Sequence, residues 1–226
     1  MGIIRILRPV LILLILAPVY SQQIYFEPEY GYYGPSNWTR IDSIIIAMDT
    51  VRQDYEFNQA PRVGGNLGLR FTSGYEVYVG YKQWPFNSKT TPVTKVNTFS
   101  VGIRNSAFLK DRNLGYRAGF EYFRTRVTSD LDTSATGGVL WTFKGKGSGT
   151  ALEAGIIYLL FDRVCLFAGF DYLMYNVAFD RLTNNNVTYT RKEFGLSKSK
   201  ATVDMTGMNI KLSISFIFSA PLKFDN

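Results

Sequence analysis

Glu27 and Glu29 stand two residues apart, a spacing that puts both carboxylates on one face of an extended chain. Paired carboxylates can do acid and base work, and they are also what a buried network of charge pairs contains. Asp130 and Asp132 repeat the spacing in a short acidic motif of the kind found in calcium sites. A full site needs six or more oxygen ligands, and no recognisable loop motif supplies the rest. Basic residues gather at Lys144 and Lys146 and again at Arg191, Lys192, Lys198 and Lys200. There is no histidine, which excludes mechanisms that need an imidazole base. The single cysteine, Cys165, forms neither an internal disulfide nor a Cys/His zinc site. Charge pairing therefore explains Glu27 and Glu29 better than catalysis, and no catalytic, cofactor or metal site is expected.

The elements that carry these residues follow from the rest of the sequence. The 226 residues are 46% apolar, 15% aromatic and 19% charged, which suits one domain or one barrel and is too aromatic for disorder. Residues 1 to 21 read as an export signal: Arg5 and Arg8, an apolar run from Val10 to Leu16, then Val19, Tyr20 and Ser21. That run is shorter than the ~20 residues of a spanning helix. Cleavage before Gln22 is expected, leaving 205 residues with a formal charge of +5 instead of +7. No cysteine follows the run, which argues against a lipoprotein anchor.

Beyond the signal, apolar residues recur with period two in eight stretches of about ten residues, the pattern of strands with unlike faces. The first, Gln23 to Gly34, sets Ile24, Phe26, Pro28, Tyr30 and Tyr32 against Tyr25, Glu27, Glu29, Gly31 and Tyr33. Leu67, Leu69 and Phe71 lead through Thr72, Ser73 and Gly74 into Tyr75, Val77, Val79 and Tyr81 as a hairpin. Strand four carries Phe99, Val101 and Ile103, and strand five runs from Leu114 to Phe123. A second hairpin turns at Asp162 and Arg163, and Met208 to Phe218 closes the series.

The apolar faces hold no charged residue. The opposite faces combine seven glycines with acidic Glu27, Glu29, Glu76, Glu121, Glu153 and Asp171 and basic Arg70, Lys82, Arg104, Arg117 and Lys211. Glycine weakens a strand and has no use facing open water, but in a narrow barrel it makes room for long neighbours. Nearly balanced charges can pair with one another inside. The fold expected is all-β, an antiparallel up-and-down transmembrane β-barrel over residues 22 to 218, with its apolar face outward. A lipocalin-like soluble barrel, with that face inward, is the alternative.

Links after strands two, four and six are short, whereas those after strands one, five and seven exceed twenty residues, as in outer-membrane barrels with both termini on the periplasmic side. With the last strand ending in Phe216, Ile217 and Phe218, the chain resembles the small outer-membrane barrels typified by the OmpA transmembrane domain and OmpX. The resemblance implies assembly by the bacterial barrel-insertion machinery, location in the outer membrane and contact with lipopolysaccharide. Enzymes of similar architecture, the lipid A palmitoyltransferases and deacylases and the omptins, depend on a histidine that this chain lacks. Residues 219 to 226 form a short C-terminal tail, a departure from a strictly terminal aromatic strand. Pro28 is awkward in a barrel without a free edge, and a bulge or an early strand end is expected there.

Two apolar segments interrupt the long links. Ile44, Ile45, Ile46 and Met48 in the link after strand one and Val139 to Phe143 in the link after strand five either extend hairpins or, as spanning strands, raise the count to ten. The former is also a candidate contact for other outer-membrane proteins. Lys144, Lys146, Arg191, Lys192, Lys198 and Lys200 are placed to meet lipopolysaccharide phosphates. Nucleic acid is not an expected partner of an exported barrel. The function expected is a non-enzymatic barrel with a charge-plugged interior that supports envelope integrity or binds lipid and partners. An accessory subunit of a larger assembly and a small-solute channel are the alternatives.

Overall fold

A computed structural model describes residues 23–35, 40–46, 49–56, 59–86, 93–110, 112–132, 140–184, 187–190, 194–196 and 202–218. The expected signal, the tail, Met48, Arg191, Lys192, Lys198 and Lys200 lie outside them. Thirteen strands form among the described residues: β1 Gln23–Pro35, β2 Arg40–Ile46, β3 Asp49–Glu56, β4 Ala60–Arg70, β5 Tyr75–Phe86, β6 Val93–Phe108, β7 Leu114–Asp132, β8 Leu140–Phe161, β9 Val164–Asn184, β10 Val187–Thr190, β11 Phe194–Leu196, β12 Thr202–Asp204 and β13 Gly207–Ile217.

Eight of them close a barrel in the order β9-β13-β1-β4-β5-β6-β7-β8, with β8 pairing back to β9. Every pairing is antiparallel. These are the eight alternating stretches of the sequence. The short connections Phe71–Gly74, Leu109–Asn113 and Asp162–Arg163 lie at one end together with Gln23 and Ile217. At the first of them Gly74 takes φ +82°, a left-handed conformation that a side chain resists, and its N–H bonds to the Phe71 carbonyl.

The period-two pattern is realised as burial. Along β13 buried and exposed residues alternate without a break, and the exposed set is apolar: Met208, Ile210, Leu212, Ile214 and Phe216. Ile210, Leu212 and Phe99 are 62 to 67% exposed, an arrangement that water penalises and hydrocarbon does not. The apolar face points outward, the inverse of a soluble lipocalin-like barrel. Tyr30, Tyr32, Tyr75, Tyr81, Tyr122 and Tyr172 are all on it.

For the two apolar link segments the ten-strand alternative falls and the eight-strand reading holds, and one expectation, that for Pro28, is corrected. Ile44 to Ile46 do not add a barrel strand: they lie in β2, the middle of a separate three-stranded sheet ordered β11-β2-β3. Leu140 to Phe143 are the first residues of β8, so the long link after the fifth predicted strand is mostly strand and the barrel count remains eight. Pro28 neither bulges nor ends its strand. The ladder to β13 omits residues 27 and 28 and resumes in the same register, while the ladder to β4 runs on through Pro28 and Gly65. A prolyl nitrogen has no proton to donate, and the interruption absorbs that loss.

The wall is uneven. β7, β8 and β9 have 19, 22 and 21 residues against 13 for β1 and 11 for β4. At ~3.3 Å per residue and the usual tilt, β8 reaches about 55 Å, well past an apolar band of ~25 Å. The exposed Leu212, midway along β13, reports on the outer face: Leu212→Arg is expected to cost ~2–4 kcal/mol in urea unfolding from phospholipid vesicles. Lys110→Ala in a turn should stay within ~0.5 kcal/mol.

Candidate functional site

The bore of the barrel is filled in layers. Alternation sends Tyr25, Tyr78, Ile157, Leu159, Cys165 and Ile217 inward toward the turn end, where they cluster. At the other end Trp84, Phe123, Phe143, Tyr175, Phe179 and Leu182 belong to a larger apolar cluster. Its rings meet at defined angles: Phe123 and Tyr175 edge to face at 5.2 Å, Phe143 and Phe179 at 6.0 Å. The Tyr33 hydroxyl donates to the Met205 carbonyl and ties β1 to the segment before β13.

Between the two clusters lie all eleven charged residues that the sequence pattern sends inward, each at most 6% exposed. Glu27 is the hub. Arg104 donates to it through both terminal nitrogens at 2.8 and 2.9 Å, Arg117 at 2.7 Å, and the Ser215 hydroxyl also donates to it. Arg104 Nε reaches Glu76 at 2.6 Å, and Glu76 also accepts from Arg70 and from Ser106. Arg117 Nε lies 2.7 Å from Glu153, and Lys211 lies 2.9 Å from Asp171. Lys82 pairs with Glu121, which also accepts from the Tyr78 hydroxyl at 3.0 Å. Glu29 sits 3.7 to 3.9 Å from Lys211, Lys82 and Arg62.

Aromatic rings complete the solvation of the cations. The Arg104 guanidinium lies 5.1 Å from the Tyr25 ring centre and 4.9 Å from that of Tyr78, and Arg117 lies 3.6 Å from Phe167. Both tyrosine rings lie over the adjacent strand because their paired residues there, Gly68 and Gly102, carry no side chain. A Cβ at Gly68 would fall 2.5 Å from the Tyr25 hydroxyl oxygen, and one at Gly102 would fall inside contact distance of the Tyr78 ring.

Sequence reasoning missed one member, Arg62. Its terminal nitrogen donates to Asp171 at 2.7 Å, and its guanidinium lies 5.2 Å from the Trp84 ring centre. The signal was present: Arg62, Gly64, Asn66, Gly68 and Arg70 continue the inward alternation of β4 behind Pro61. With Arg62 the buried charges number six acids and six bases, so the layer is formally neutral. Asn66 and Asn209 donate to Glu29 and Asp171, each at 3.1 Å. Each buried carboxylate has a cation within 3.9 Å, an arrangement that holds strands together.

The other predicted residues lie apart from this layer. Lys144 and Lys146 are exposed on the outer wall of β8, and Lys146 pairs with Asp180 at 3.1 Å. Asp130 accepts from the Thr142 hydroxyl at 2.8 Å, and Asp132 pairs in register with Leu140. The backbone of Ile44 to Ile46 is paired on both sides, by β3 and β11.

No family model matches the chain, and no curated protein matches it. Solved structures do. The outer membrane protein OprG from Pseudomonas aeruginosa is 10% identical over 88% of this chain and 97% of its own, with a TM-score of 0.61. Neisserial surface protein A is 12% identical over 88% and 99%, with a TM-score of 0.50. A major outer membrane protein from Thermus thermophilus is 10% identical over 88% and 100%, also at 0.50. The fold is that of the small outer-membrane β-barrels.

Because Glu27 neutralises two guanidiniums where no water reaches, Glu27→Ala is expected to cost ~3–5 kcal/mol in urea unfolding from vesicles. Ser215→Ala, which removes a single hydroxyl bond, should cost ~1 kcal/mol.

Proposed function

We propose that the chain is a non-enzymatic barrel of the bacterial outer membrane that acts through its outer wall and its loop end, in envelope integrity and in binding lipid and other envelope components. The fold likeness to outer-membrane proteins and the outward apolar face support that location. The observation that carries the functional reading is the filled bore. A neutral layer of twelve paired charges, capped by an apolar cluster at each end, offers a solute no continuous polar path. An eight-stranded barrel has an interior that side chains just fill, so a small-solute channel is the weaker reading.

An accessory role in a larger assembly draws support from one feature. The tall wall of β7 to β9 and the separate β2, β3 and β11 sheet put much ordered backbone beyond the apolar band, where other chains can reach it. Gentle detergent extraction from native membranes, followed by size analysis and identification of co-eluting species, separates the two. Elution with lipid alone is the outcome expected for a stand-alone barrel, and a stoichiometric protein partner would favour the subunit.

The sealed bore has its own check. The full chain reconstituted in a planar bilayer is expected to give no stepwise conductance. Steady openings at neutral pH would overturn the reading.

A further inference from the structure

The outward face of β6 to β9 changes character at one level. Register places Ile103, Phe120, Leu152 and Tyr172 in one row across the four strands, and Val101, Tyr122, Thr150 and Met174 in the next. The following row is Phe99, Arg124, Ser148 and Asn176. Above it Arg126 stands directly opposite Lys146, and one row higher Lys144 stands opposite Arg181, with Lys95 at the β6 end. Six cations thus occupy three successive rows, each about 7 Å from the next.

Like charges opposite each other across strands repel, and here two such pairs occupy adjacent rows. Three of the carboxylates along this stretch of wall are engaged. Asp180 pairs with Lys146, Asp130 accepts from Thr142, and Asp204 accepts from the Thr206 N–H. Beside Lys146 the wall has a depression of about 470 Å³ lined by Ser148, Met174, Asn176, Ala178 and Thr206, where the chain breaks between β12 and β13.

The geometry points to a phosphate-binding site on this wall, centred on Arg126 and Lys146, whose occupant is a phosphorylated lipid of the leaflet on the loop side. A phosphate between Arg126 and Lys146 converts a repulsive cross-strand pair into two charge-assisted hydrogen bonds. The cations begin one row above the apolar face, at Tyr122 and Met174, so an anion seated there has its acyl chains against the apolar band. That continuity favours a lipid over free phosphate. The inference rests on the chain spanning the membrane and on the lipid-binding reading, and it adds the place on the wall and the residues, Arg126 with Lys146, that hold the lipid phosphate.

The test uses the full chain folded into phosphatidylcholine vesicles that contain bisphosphorylated lipid A, with lipid retained after mild detergent extraction counted by native mass spectrometry. Arg126→Glu with Lys146→Glu is expected to weaken retention at least about tenfold. Lipid A stripped of its phosphates should be lost to the same extent, and Lys110→Glu with Arg112→Glu, cations at the turn end, should change nothing. If the double glutamate variant fails to fold, Arg126→Gln with Lys146→Gln is expected to give a loss of several-fold. Excess inorganic phosphate should not displace the lipid. Displacement would assign the site to free anions, and retention by either Arg126/Lys146 variant at the level of the unaltered chain would remove the site. Protection from added trypsin reads insertion separately. Failure to insert defeats the membrane-spanning reading, whereas normal insertion with unaltered lipid retention defeats only the site.

Discussion

The structure depends on one constraint, that twelve charges buried inside the bore, each at most 6% exposed, must neutralise one another. Each of the eight barrel strands supplies at least one of them. β1 brings Glu27 and Glu29, β4 Arg62 and Arg70, β5 Glu76 and Lys82, and β7 Arg117 and Glu121. Arg104, Glu153, Asp171 and Lys211 come from β6, β8, β9 and β13. The layer therefore cross-links the whole circumference, and it also guards register. A slip of one residue in any strand would turn its charge into hydrocarbon and leave a partner inside unpaired.

The same constraint shapes what surrounds the layer. Glycines paired with Tyr25 and Tyr78 on the neighbouring strands let those rings lie over them and approach Arg104, so that a desolvated guanidinium meets both carboxylates and two aromatic rings. The apolar clusters at the two ends keep water from the ion pairs, which strengthens each of them. A barrel sealed in this way has its chemistry on the outside, and the uneven wall shows where. β6 to β9 continue past the apolar band as paired strands, and their outward residues change from apolar to basic within two rows. Backbone rigidity there fixes the spacing of Arg126 and Lys146 better than a loop would.

Much of the charged layer is legible in the alternation of residues along the chain. Glu27, Glu76, Arg104, Arg117, Glu153 and Lys211 can be sent inward because each alternates with apolar neighbours on a recognisable strand. Arg62 shares the inward parity of Asn66 and Arg70, but Pro61 and the Gly64-Gly65 pair interrupt the apolar pattern of β4 and make the strand look shorter than its 11 residues. The upper parts of β7, β8 and β9 resemble loops for a similar reason. Their outward positions are polar, Arg124, Arg126, Lys144, Lys146 and Asn176, while the inward ones turn apolar in β7 and β9 (Phe123, Val127, Tyr175, Val177, Phe179) and to glycine in β8, so the apolar phase reverses partway along each strand and the outward apolar pattern stops.

By itself the sequence determined which face of each strand points inward, that the interior carries balanced charge, and at which end the turns and the described termini lie. Those properties depend on residues two apart or on the length of a link, and are local. Which cation meets which acid, how far the wall rises, and that Arg126 stands against Lys146 were decided only by the closed barrel. Glu27 joins Arg104, Arg117 and Ser215, residues 77, 90 and 188 positions away. Such partners are selected by strand register around a closed ring, and register is a property of all eight strands at once.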